Sequence, residues 1–88
     1  MAYIEGQMIS GDFDEEINTF SLKSIKNFQT ATSLKENQLK DIYHYLKQHE
    51  HEKDGQIISF YDQMLVPLSQ EEVKVLLDDI MRVQLLYR

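Results

Sequence analysis

The sequence predicts an all-α domain, a small bundle of three or four helices. Three observations carry that expectation. Two Ser-x-x-Glu boxes, Ser33 with Glu36 and Ser69 with Glu72, each stand before apolar residues recurring in steps of three and four, and a third run over residues 57–68 keeps the same period. Helices are expected near residues 12–28, 33–52, 56–66 and 69–87. With 88 residues the chain makes one domain, 1–88, small enough that only about 60 to 65% of its unfolded surface can be buried.

Residues 1–11 carry Gly6, Ser10 and Gly11 as punctuation and read as a loose arm or a short strand. Over 12–28, Phe13, Ile17, Phe20 and Phe28 fall at intervals a helix accepts, with Asp14, Glu15 and Glu16 in its first turn. The stretch TFSLKSI within it also reads as extended around Phe20 and Leu22. In 33–52 the Ser33 box opens a helix whose stripe is Leu39, Ile42, Tyr43 and Leu46, with Glu36 and Lys40 paired outside. Asp54 and Gly55 break it, since glycine takes the left-handed conformation that ends helices.

The segment QIISFYDQMLVPL is contested. Ile57, Phe60, Tyr61, Met64, Leu65 and Leu68 match a helix, whereas Ile57, Ile58, Phe60, Tyr61 and Val66 are strand-favouring types. Pro67 ends either element by steering Val66 away from helical angles. The last helix opens on the Ser69 box with acids in its first turn. Val73, Leu76, Ile80, Val83 and Tyr87 form its main stripe, and Leu77, Met81 and Leu85 lie beside it, an arc wider than one neighbour covers.

Composition narrows the functions. Zero cysteines remove disulfides, thiol catalysis and cysteine-ligated metals, so a domain this small holds itself by core packing or by a partner. No apolar run reaches the length of a membrane span and no secretory leader is visible at Met1, so the expected placement is cytoplasmic and away from membranes. The net charge of −6 opposes a phosphate backbone, and the last helix opens on Glu71 and Glu72 where a DNA-reading helix needs basic or amide side chains. Direct nucleic-acid binding is therefore not expected.

The three histidines in HYLKQHEHEKDG invite a metal reading. Steps of five from His44 to His49 and two from His49 to His51 diverge around a helix, so they read as solvated residues near a helix end. Adjacent carboxylates at Glu15/Glu16, Glu71/Glu72 and Asp78/Asp79 point about a hundred degrees apart on a helix and read as solvating charge. With no phosphate loop and no nucleophile set, neither an enzyme nor a cofactor is expected.

What remains is an acidic, regulatory, adaptor or inhibitory protein-binding factor, docking on another protein or on a homodimer mate. The candidate contacts are Val75, Leu85, Leu86 and Tyr87 on the final helix, with Asp12, Asp14, Glu15 and Glu16 steering approach. The alternative is a nucleic-acid mimic whose acids occupy the basic site of a DNA- or RNA-binding protein.

Overall fold

The computed structural model describes residues 2–59 and 65–88. They form, in chain order, β1 (Ala2–Glu5), β2 (Ile9–Asp14), β3 (Thr19–Ile25), β4 (Phe28–Lys35), α1 (Glu36–Gln48), β5 (Gln56–Ser59), β6 (Leu65–Leu68) and α2 (Gln70–Gln84). Strands β1 to β4 make an antiparallel sheet in sequence order, and β5 pairs with β6 in a second, two-stranded sheet. The all-α bundle is overturned; the fold is α+β.

The helix expected over 12–28 is replaced by the end of β2, all of β3 and the start of β4. Phe20 and Leu22 show why. On a helix two residues apart lie about 200° around the axis, but on a strand they share a face. Both are fully buried, and Ile9, Phe13, Ile25 and Leu34 join them on the same inner side. Their neighbours Ser10, Asp12, Ser21, Lys23 and Ser24 lie on the outer side, giving the alternation of a one-sided antiparallel sheet. Asn18 and Lys26 supply the positive φ, 52° and 57°, that the two tight turns require. The extended reading of TFSLKSI is what forms. Within 1–11, Ala2–Glu5 is paired to β2 as a strand.

Ser33 does not open α1. Leu34 is buried opposite Phe20, so strand pairing holds the chain extended through Lys35. Lys35 becomes the N-cap, and its amide donates to Gln38 Oε1 at 2.8 Å. The expected stripe does face inward: Leu39 and Leu46 are fully buried, with Ile42 and Tyr43 packed against them. Gly55 ends the connection at φ +74, where an added Cβ would sit 2.0 Å from the Leu68 carbonyl oxygen.

The helix expected over 56–66 is also overturned, though its residues 60–64 lie outside those described. Gln56 to Ser59 and Leu65 to Leu68 are strands, with Ile58, Val66 and Leu68 buried and Ile57 and Leu65 exposed. Strand-favouring types outweighed a helical spacing. Only α2 follows its expectation closely: the Ser69 hydroxyl accepts from the Glu72 amide at 3.1 Å, and the Glu72 carboxylate accepts from the Ser69 amide at 2.8 Å. Val73, Leu76, Ile80 and Val83 are buried, and they join the inner faces of α1, both sheets and Tyr87 in one core. Of the second stripe only Leu77 is buried; Met81 and Leu85 face out.

Candidate docking surface

The residues expected to dock occupy different environments. Tyr87 is internal: its hydroxyl donates to the Leu34 carbonyl at 2.6 Å and its ring meets Phe13 edge-on, centroids 4.9 Å apart. Desolvation by this burial pushes its phenol up to about 12. Leu86 is half-buried against the core and Val75 half-buried, whereas Leu85 is 85% exposed.

The acidic residues sit on β2 and the turn after it. Asp12 pairs with Lys23 at 2.8 Å, Asp14 accepts from the Glu16 amide at 3.0 Å, and Glu15 reaches Arg88 at 3.3 Å, while Glu16 is exposed. Asn18 bonds the backbone of Arg88 in both directions, so the β2–β3 turn and the final residues meet at one end of the molecule.

Asp79 corrects a reading made from sequence. Taken as solvating charge, it is 3% exposed and accepts hydrogen bonds from the amides of Gln7, Met8 and Ile9 at 3.2, 2.6 and 3.2 Å. Those donors belong to the β1–β2 turn, which presents its amides to one carboxylate on α2. Gly6 permits the approach, since a Cβ there would lie 2.6 Å from the carboxylate. The cluster is structural and its hydrogen-bonding capacity is used.

The histidines do not converge. His49 Nδ1 contacts the Glu52 carboxylate, His51 lies 3.7 Å from Glu50, and His44 stacks edge-on against Tyr43. The contact with His49 holds the Glu52 carboxyl below the usual range. Among the described residues no three of His, Asp or Glu gather as a metal-binding group.

A surface that sequence reasoning missed lies between α1 and β5. Asp41, Ile42 and Tyr45 form one wall and Ile57, Ile58 and Ser59 the other, enclosing about 370 Å³ that is open to solvent. Alternation in β5 turns Ile58 into the core and Ile57 outward. Ile57 is 64% exposed, Leu65 on the same hairpin face 63% and Tyr45 43%. The Tyr45 hydroxyl donates to Gln56 Oε1 at 2.7 Å, which ties the start of β5 to α1 and holds the mouth of the groove. The signal was present in the strand-favouring run IIS, whose adjacent isoleucines cannot both point inward from one strand.

On the far side of the hairpin, Lys26 from the β3–β4 turn donates to the Pro67 carbonyl and to Glu72, both at 3.0 Å. The Ser69 backbone amide, then Lys26, hold the Glu72 carboxyl below its ordinary range. Among the described residues no helix is long and apolar enough to cross a membrane. No protein family, curated protein or solved structure matches the chain.

Proposed function

We propose that the protein is a small interaction factor that docks another protein in the groove between α1 and the β5–β6 hairpin. The observation that carries this reading is the coincidence of an open cavity of about 370 Å³ with Ile57, Leu65 and Tyr45, three large apolar side chains left in water. Clustered apolar exposure beside a concave surface is the usual mark of a protein or ligand contact. The α2 face supports less, because Tyr87 and the main stripe serve the core. The mimic reading is disfavoured by Asp12 and Glu15 lying against Lys23 and Arg88. A cytoplasmic setting goes with this proposal, since a cysteine-free domain draws nothing from an oxidising compartment.

The test is comparative affinity capture from native extract with the unaltered protein, Ile57→Glu and Leu85→Glu. Partners retained by Leu85→Glu and lost with Ile57→Glu support the groove. The same partners retained by Ile57→Glu and lost with Leu85→Glu would move docking to α2.

A further inference from the structure

We propose that the outer edge of β5 takes up an extended segment of another polypeptide as a third strand. An aliphatic side chain of that segment fills the groove and a basic residue lies beside Asp41. This rests on the docking surface just described and specifies its occupant.

In an antiparallel pair, opposed residues alternate between those that bond across the ladder and those whose amides and carbonyls point away from it. Ile57 stands opposite Pro67, Ile58 opposite Val66 and Ser59 opposite Leu65. Pro67 has no N–H to give, and its carbonyl is taken by Lys26 Nζ at 3.0 Å. Ile57 with Pro67 is therefore the non-bonded pair, and so, two residues on, is Ser59 with Leu65. The peptide groups of Ile57 and Ser59 consequently face outward, toward the groove that these residues line.

The two edges of the hairpin differ. The outer side of β6 holds a proline, Pro67, whose carbonyl is covered by Lys26 from the β3–β4 turn, so that edge is closed to strand addition. Among the described residues β5 has no such protection on its own outer edge, and a two-stranded sheet gains stability from a third strand.

A docked helix satisfies its own backbone and would leave the Ile57 and Ser59 peptide groups desolvated and unbonded; an extended chain supplies the missing donors and acceptors. The walls of Ile42, Tyr45 and Ile57 select an aliphatic side chain. Asp41 is exposed at the rim, makes no ion pair among the described residues, and belongs to a chain of net charge −6. A basic residue complements it.

The probe is a peptide of about seven residues selected from a random library on the unaltered protein, long enough to span an ordinary strand. It is then synthesised with each peptide nitrogen methylated in turn. Strand addition is expected to protect the Ile57 and Ser59 amides from hydrogen exchange. Methylation at alternate positions, and Ser59→Pro in the protein, are expected to weaken binding about tenfold or more, the factor that about 1.4 kcal/mol of edge hydrogen bonding represents.

Selected peptides that are lost with Ile57→Glu yet tolerate every methylation would overturn strand addition while leaving the docking surface standing. A library that yields no binder overturns it too. If Ser59→Pro fails to fold, the methylation series on the unaltered protein still decides. The docking reading itself stands or falls separately, on the capture comparison of Ile57→Glu with Leu85→Glu.

Discussion

Asp79 is the residue on which the two halves of the chain depend, since its carboxylate receives three amides from a turn about seventy positions earlier. Its replacement by alanine leaves those donors without that acceptor; the Ile9 amide is buried and, unpaired, costs about 1 to 3 kcal/mol, while the part-buried amides of Gln7 and Met8 can turn to water at a smaller cost. Asp79→Ala is therefore expected to lose about 2 kcal/mol by urea denaturation, a large share of what a domain this size possesses. A loss under about 0.5 kcal/mol, the range of ordinary surface changes, would contradict the assignment. Gly6→Ala should be similarly harmful alone and much milder on the Asp79→Ala background, because its methyl collides with that carboxylate.

Tyr87 is buried with its hydroxyl on the Leu34 carbonyl. Its folded pKa, about 12, lies above the ordinary 10.0, so folding favours the neutral phenol. The associated stability is present below pH 10 and is lost as pH rises from 10 toward 12. Tyr87→Phe should lose about 1 kcal/mol at neutral pH, from the orphaned Leu34 carbonyl, and should show a flatter stability profile across that alkaline window. Equal slopes in the two proteins would sink the assignment.

Among the elements, α2 was legible because its signals are local. The Ser69 box, the acidic first turn and a stripe in steps of three and four all lie within one stretch and all agree. The same logic misled at Ser33, where four letters match a box but Leu34 is required across the sheet by Phe20. Over 12–28 the intervals from Phe13 to Ile17 to Phe20 suit a helix by coincidence, and the deciding pattern is the two-residue period of Phe20 and Leu22. The groove was not legible, because its walls come from α1 and β5 and only the fold brings them together.

Glu72 is held below its ordinary 4.5 by the Ser69 amide and Lys26, so its contribution is present above pH 4.5 and fades as pH falls through the lowered value. Glu72→Gln keeps an acceptor for the Ser69 amide but no charge for Lys26. Its stability should change less than that of the unaltered protein when titrated downward from pH 5 by circular dichroism, and an unchanged acid profile would contradict the role given to Glu72.

At the level of the whole molecule, one core lies between the inner face of a four-stranded sheet, two helices and a short hairpin. The radius of gyration, 12.2 Å, matches the ~12 Å expected of a chain this length folded as a single body. The outer face of the sheet is mostly polar and Asp12 there is paired with Lys23; of the large apolar side chains left exposed, Ile57 and Tyr45 are the ones that also line a groove. Docking there, as proposed, would draw on apolar burial and strand bonding and should persist as salt is raised, whereas an acidic mimic would release its partner.

As proposed, β5 carries one bonded edge and one open edge. Amide hydrogen exchange on the free protein reads this directly. The Ile58 amide, paired across to Val66, should exchange slowly, while the amides of Ile57 and Ser59 should exchange near the rate of exposed backbone. Protection of Ile57 and Ser59 equal to that of Ile58 would mean the edge is already occupied, and the groove would have no strand to receive.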